Sequence, residues 1–248
     1  MSKWSQDLLI LMHALTDSEF RRQAEPILKQ VFADGWDSTD GFGEIFVPQI
    51  TSRIILFPCE QEGFRDCLSS QVLVDAALKT GDTGCYIFPW WNGSSDYCYV
   101  PLSEFVEGYD GKPGSSNLIG AKIGINLYSP VTTIVSSQGK WGLYTSSEHH
   151  ALLGGSPEFM EEIRRGMPHI DNQVYEFFDF WHTHRQSNLD RGFDYGSPKW
   201  YKVLLNHIYG LEKGDRLLQE SGLLWENSDE SIEHRSSTDS LWARDAVF

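Results

Sequence analysis

The segment from residue 139 to residue 165, GKWGLYTSSEHHALLGGSPEFMEEIRR, constrains the fold more than any other part of the chain. In its first part, Trp141, Leu143 and Thr145 recur at every second position. This alternation is typical of a strand that is buried on one face. The polar run TSSEHH and the paired glycines after it predict a turn followed by a glycine hinge.

The second part of this segment has the features of a helix with both ends marked. Ser156 offers a side-chain oxygen as an N-cap, and Pro157 suits the first helical position because its missing N–H group has no partner there anyway. Gly166 can adopt the left-handed conformation that ends a helix, and Pro168 prevents the helix from resuming. The segment therefore predicts a strand, a turn, a hinge and a helix, which define architecture and not chemistry.

Charge limits the kinds of partner that the chain can bind. The formal net charge is −15 over 248 residues, which argues against binding to a nucleic-acid backbone or to an anionic membrane surface. Residues 34 to 120 carry thirteen acidic and four basic side chains, so the acidic excess lies mainly in the first half. We expect either a soluble protein whose charge serves solubility alone, or one that meets a basic partner.

Cysteine usage and hydropathy bear on the compartment. The four cysteines form no CxxC pair and no zinc spacing. The apolar run from Leu8 to Met12 is too short for a signal peptide, and no stretch approaches the ~20 apolar residues of a membrane span. We therefore predict a cytoplasmic protein with free thiols, no cofactor and no bound metal.

Turn signals and apolar periodicity predict an α+β fold, with a mainly antiparallel sheet between residues 44 and 145 and helices at the N- and C-terminal ends. Strands are expected at 53–57, 85–89, 97–100, 123–127, 131–135 and 140–145. Helices are expected at 5–15, 16–31, 63–79 and 157–165. Three more are expected: one begins at a cap at Asp171, one runs from Ser197 to Gly210, and one ends at Gly222. Residues 1–225 form one predicted domain, with 108–117 as the only candidate linker, and residues 226–248 are predicted to be an acidic, flexible tail.

An aromatic and acidic surface in the first half is the predicted partner-binding site. The run WWNGSSD lies between two predicted strands, and its tryptophans either fold back onto the sheet or act as exposed anchors of a binding hot spot. The aspartates of the run DGWDSTDGFGE lack the ligand spacing of an EF-hand and indicate a solvated acidic loop. The predicted partner-binding residues are Asp34, Asp37, Asp40, Trp90, Trp91, Asp96, Tyr97 and Tyr99.

A catalytic alternative rests on the turn that contains Glu148, His149 and His150. A histidine beside a carboxylate in a glycine-flanked turn can act as a general acid or base, which leaves a hydrolase or transferase open. Such residues more often stabilise a turn by local hydrogen bonds. His182 and His184 lie on different faces of a predicted helix and cannot share a metal.

Two runs carry a family resemblance. The phrase WGLYTSSEHHALLGGSPEF at residues 141–159, with the later run DNQVYEFFDFW, resembles bacterial proteins of the immunity-protein type. The resemblance implies a strand–turn–helix unit that closes an α+β domain, and a protein that neutralises a cognate toxin by binding it. It therefore implies an inhibitor and not an enzyme. An acidic surface would also suit a phage counter-defence protein that imitates nucleic acid, which is a further alternative.

Overall fold

The structure, a computed structural model, describes residues 13–36, 41–59, 63–89, 97–109, 132–193 and 200–223. The strands within these ranges are β1 His13–Leu15, β2 Ser52–Leu56, β3 Gly84–Pro89, β4 Tyr97–Pro101, β5 Thr132–Ser136, β6 Trp141–Thr145 and β7 Ala151–Gly155. They form one sheet in the order β1-β4-β3-β5-β6-β7-β2, and every neighbouring pair is antiparallel. The predicted α+β class with an antiparallel sheet is confirmed.

The helices within the same ranges flank this sheet in chain order. They are α1 Asp17–Glu19, α2 Glu25–Val31, α3 Ser70–Lys79, α4 Leu102–Tyr109, α5 Pro157–Gly166, α6 Gln173–Asp190, α7 Trp200–Tyr209 and α8 Leu211–Ser221. A π-helical segment, Phe20–Ala24, joins α1 to α2, and 3-10 turns lie at Gly63–Asp66 and Ile170–Asn172. Because α3 and α4 lie between strands, helices are not confined to the two ends of the described chain.

Helices cover both faces of the sheet and create two cores. The first core contains residues of α3, α4 and α5, and the second core contains residues of α2, α6, α7 and α8. Neighbouring residues of β2 point to opposite cores, with Ile54 in the first and Ile55 in the second. An antiparallel sheet often leaves one face in water. Here β5, β6 and β7 are buried at every position because both faces are covered.

The predicted glycine hinge after the polar turn is wrong, since Ala151–Gly155 is strand β7 and pairs with both β6 and β2. A Cβ atom on Gly154 would come within 2.8 Å of Ile50, and one on Gly155 within 2.6 Å of Phe159. A strand glycine often marks a close approach by another segment. Both glycines thus let side chains from the two cores lie against the centre of the sheet.

The first described residues also depart from expectation. Residues 13–15, predicted to end a helix, form β1 because pairing with β4 overrides the helical spacing of the leucines. The predicted capping box is confirmed, since Glu19 N–H donates to Thr16 Oγ1 and the Glu19 side chain accepts from Thr16 N–H. The predicted interruption near Pro26 is confirmed as well, because the π-helical segment ends there and Pro26 lies in the first turn of α2.

The predicted cap of α5 is confirmed, and two other predicted helix ends are wrong. Ser156 Oγ accepts a hydrogen bond of 3.2 Å from Phe159 N–H. Gly166 is the last residue of α5 and does not have a positive φ. Asp171 does not cap α6, because its carboxylate instead accepts two hydrogen bonds from Arg164, of 2.8 and 3.1 Å.

Two side chains cover the outer edge of β2, the last strand of the sheet. Ile55 N–H donates to Tyr209 Oη at 3.3 Å, and Phe57 N–H donates to Gln173 Oε1 at 3.0 Å. Gln173 also donates to the Cys67 carbonyl at 2.7 Å. Unpaired N–H groups at a sheet edge can template pairing with another chain. Tyr209 and Gln173 therefore satisfy the edge from within the protein.

Several sequence predictions lie outside the described residues. They concern residues 5–12, residues 110–117 of the candidate linker, the strand at 123–127, the cap at Ser197 and the tail at 226–248. The four cysteines, Cys59, Cys67, Cys85 and Cys98, are free and buried. In the part of the chain that the structure covers, no helix combines the length and apolarity needed to cross a membrane.

Candidate functional site

The structure describes only some of the residues that are predicted to bind a partner. Asp37, Asp40, Trp90, Trp91 and Asp96 lie outside the described residues. Asp34 is exposed and follows the end of α2. Tyr97 and Tyr99 lie on β4 and are half-buried. Their role in binding stays a prediction, and the structure gives the surroundings of three of them.

The two tyrosine rings face the second core. Tyr97 stacks on Phe20 with ring centroids 4.0 Å apart and meets Phe88 edge-on at 5.7 Å. Tyr99 meets Tyr86 at 5.4 Å. Burial raises the pKa of the Tyr97 hydroxyl, with the Asp17 carboxylate adding to the effect. Much of the surface of both rings is therefore buried within the fold and is not accessible to a partner.

Asp34 and the tyrosines lie on separate parts of the molecule. Trp36, two residues after Asp34, packs edge-on against Tyr144 of β6, with ring centroids 5.6 Å apart. The order of the sheet places β6 three strand spacings from β4, roughly 14 Å. The structure therefore brings Tyr97 and Tyr99 together and leaves Asp34 apart from them.

The turn with the candidate catalytic residues is held by backbone groups. His150 is fully buried, with Nε2 3.1 Å from the Gly41 carbonyl and Nδ1 3.3 Å from the Glu148 carbonyl. Burial lowers the pKa of His150. Glu148 N–H donates to Ser146 Oγ at 3.0 Å, while the carbonyl of His149 accepts from Cys59 N–H at 2.8 Å. These contacts join the turn to the segments before and after β2.

This arrangement suits a structural role better than acid–base catalysis. A general base needs to reach the proton that it removes, but the His150 ring is enclosed and directed at two carbonyl groups. Within the described residues, no hydrogen bond joins the Glu148 carboxylate to either imidazole. His149 is exposed and adopts a positive φ of 61°, which histidine tolerates better than most residues.

The outer face of α6 presents an exposed aromatic ring beside two carboxylates. We use the name α6 outer face for Tyr175, Glu176, Asp179 and Thr183, which are all exposed. The spacing of three and four residues makes them neighbours on the helix surface. Tyr175 is 48% exposed, although its ring edge rests on Phe178 at 6.1 Å. A partly exposed tyrosine ring that packs on a neighbouring ring and lies beside carboxylates has the composition of a binding patch.

The carboxylates of this face have no cation beside them among the described residues. Within the described chain, Glu176 and Asp179 form no ion pair. Cations elsewhere on the surface do pair with carboxylates, namely Lys29, Lys79, Arg164, Arg165, Lys202 and Arg216. Pairing of these cations leaves a negative excess, and part of it lies on the α6 outer face.

The sequence contains one signal for this face. Val174, Phe178 and Trp181 recur at helical spacing and form one stripe, which places Glu176 and Asp179 on the opposite side of the helix. Val174 and Phe178 are indeed buried, and Trp181 is half-buried. Spacing alone could not decide whether Tyr175 is exposed or buried, because it lies next to that stripe.

Neither a family model, nor a curated protein, nor a solved structure matches this chain. Among the residues that the structure describes, no group of three or more His, Cys, Asp or Glu side chains could hold a metal ion.

Proposed function

We propose that this protein is a non-catalytic inhibitor that binds a positively charged protein through the α6 outer face. A bacterial toxin is the partner implied by the resemblance of residues 141–159 to immunity proteins. The observation that carries the proposal is the exposed ring of Tyr175 next to Glu176 and Asp179, which lack cationic partners among the described residues. The four free thiols support a cytoplasmic location, since disulfides are rare there.

Each component of the face has a distinct expected role in binding. Tyr175 can bury a large area at low entropic cost because its ring already rests on Phe178. Glu176 and Asp179 would attract a basic partner over long range, mainly by raising the association rate. With a net charge of −15, the whole molecule would add to this attraction at low salt.

The test uses the tagged chain in its native organism. We expect a stoichiometric protein to co-purify, and the double variant E176K/D179K to lose it. The double variant D75K/E212K makes the same change in net charge at exposed acidic positions on other helices and should retain the partner. Tyr175→Ala should speed dissociation, since truncating an aromatic hot spot typically costs ~2 kcal/mol or more.

A functional readout separates inhibition from simple association. Co-expression of the recovered partner with the wild-type chain should relieve its toxicity, and co-expression with E176K/D179K should not. Equal loss of the partner in both double variants would instead assign binding to net charge alone. Loss in Asp34→Lys but not in E176K/D179K would move the interface to the acidic first half of the chain.

A further inference from the structure

A cleft between the segment before β2 and the helices α7 and α8 contains a cation that has no carboxylate partner within the described residues. Its volume is about 740 Å³, which lies in the range of small-molecule sites. Its lining includes the polar and charged side chains of Glu44, Arg53, Lys202 and His207 and the apolar side chains of Val203 and Leu211. None of these residues belongs to the α6 outer face, so the cleft is a separate feature of the molecule.

Backbone carbonyls hold the guanidinium of Arg53 in one orientation. Its Nη2 donates to the Val47 carbonyl at 2.9 Å, and its Nε donates to the Ile50 carbonyl. Its Nη1 donates to the carbonyl of His207 and lies 3.1 Å from Nδ1 of that residue. A guanidinium that is already immobilised loses little further entropy when it binds a ligand.

These contacts do not use all the donors of Arg53. A guanidinium has five N–H groups. Three donate to carbonyls, and a fourth, on Nη1, faces the imidazole of His207. The second N–H of Nη2 has no acceptor within the described residues, and no carboxylate there forms an ion pair with Arg53. Glu44 lies on the cleft wall and is the nearest source of competing negative charge.

Further groups at the rim favour an anion with an apolar part. Lys202 adds a second cation, which lies 3.6 Å from its partner Asp215 and is mostly exposed. Gly210 precedes α8 without any side-chain cap, so the positive end of this helix faces the rim. Beside these groups, the side chains of Val203 and Leu211 are 46% and 73% exposed.

We propose that this cleft binds a small apolar carboxylic acid. The carboxylate accepts the remaining N–H of Arg53, and the apolar part packs between Val203 and Leu211. An interaction with an ionised acceptor is roughly twice as strong as a neutral one, and the partial burial of Arg53 reduces its screening by water. The proposal does not depend on the inhibitor function, because the two surfaces share no residue.

A matched pair of probes tests the requirement for charge. The folded chain labelled with nitrogen-15 is titrated with 3-phenylpropionate and, separately, with 3-phenylpropionamide, which has the same shape without the charge. We expect the carboxylate to bind about tenfold more tightly than the amide. We also expect the Nε–H signal of Arg53 to shift only with the carboxylate. Equal affinities, or no binding of either probe, would overturn the proposal.

Variants that leave the fold intact test the position of the site. Leu211→Glu places a carboxylate on the exposed wall and should abolish binding of 3-phenylpropionate, whereas Leu78→Glu changes a 50% exposed leucine elsewhere and should have no effect. Glu44→Gln removes the competing charge and should tighten binding of the carboxylate, by about threefold, but not of the amide. Weaker binding in Leu78→Glu, or unchanged binding in Leu211→Glu, would contradict the assignment.

Discussion

The indole Nε1–H of Trp141 donates a hydrogen bond of 3.0 Å to the carboxylate of Asp82, which is 1% exposed. The hydroxyl of Ser137 donates to the same carboxylate at 2.9 Å, and the hydroxyl of Ser136 donates to it as well. Three donors thus replace water around a buried acidic group. The network joins the segment after α3 to strands β5 and β6, close to the centre of the sheet.

Loss of this carboxylate should be among the costliest single changes in the chain. Asp82→Ala leaves Trp141 Nε1–H and the Ser136 hydroxyl buried without their acceptor. We expect a loss of roughly 3 kcal/mol in the free energy of unfolding, measured by urea denaturation. Asp75→Ala, on the exposed side of α3, should change it by less than about 0.5 kcal/mol. Similar losses in the two variants would show that the Asp82 network stabilises the fold no more than an exposed aspartate does.

The N-cap of α5 can be compared with a serine that occupies the same position without making the bond. Ser156→Ala removes the acceptor of Phe159 N–H and should cost about 1 kcal/mol. Ser69 precedes α3 as its N-cap residue, but its side chain makes no capping hydrogen bond. Ser69→Ala should therefore leave the midpoint of denaturation almost unchanged. A larger shift for Ser69→Ala than for Ser156→Ala would contradict the assigned caps.

The parts of the fold that could be predicted depend on neighbours in sequence. The alternation that begins at Trp141 defines β6, and the pair Ser156 and Pro157 defines the start of α5, because both signals act within a few residues. Strand β7 could not be predicted in this way. Its Gly154 is a strand residue because it pairs with Gly142 of β6 and with Arg53 of β2, which lies about a hundred positions earlier.

The same distinction applies to the candidate site. Tyr97 was predicted as a binding anchor because it follows a turn signal, but Phe20 stacks on it from a distant part of the chain. Tyr175 lies beside an apolar stripe and remains exposed, which only the packing of α6 reveals. The N–H of Arg53 that has no acceptor within the described residues likewise depends on carbonyls from Val47, Ile50 and His207, so no local pattern indicates it.

Acid should destabilise the protein partly through His207. Burial, with the nearby charge of Arg53, lowers the pKa of His207 from 6.5 to about 4. The unfolded chain therefore binds a proton that the folded chain resists, and stability falls as the pH decreases from 6.5 towards 4. Above pH 6.5 the group is neutral in both states and makes no difference. After a discount for partial exposure, the loss at pH 4 is about 2 kcal/mol.

His207→Gln should remove this part of the pH dependence. The side-chain carbonyl of glutamine can still accept the hydrogen bond that Phe46 N–H now donates to His207 Nε2 at 2.9 Å. We expect a flatter plot of unfolding free energy against pH between 6.5 and 4 than in the wild type. His169→Gln alters an exposed histidine and should keep the wild-type slope. An unchanged slope in His207→Gln would mean that His207 does not contribute to acid sensitivity.

The edge of β2 offers a test at the level of single amides. Tyr209→Phe removes only the oxygen that accepts from Ile55 N–H and should leave the packing of the ring in place. Exchange of the Ile55 amide with deuterated water should then accelerate by roughly fivefold, since a hydrogen bond of this kind contributes about 1 kcal/mol. The Phe57 amide, held by Gln173, is an internal reference and should keep its protection.

Tyr175→Phe, at an exposed ring, should alter neither amide. Faster exchange at both amides in Tyr209→Phe would indicate general loosening of the strand, and unchanged exchange at Ile55 would show that Tyr209 does not cover the edge.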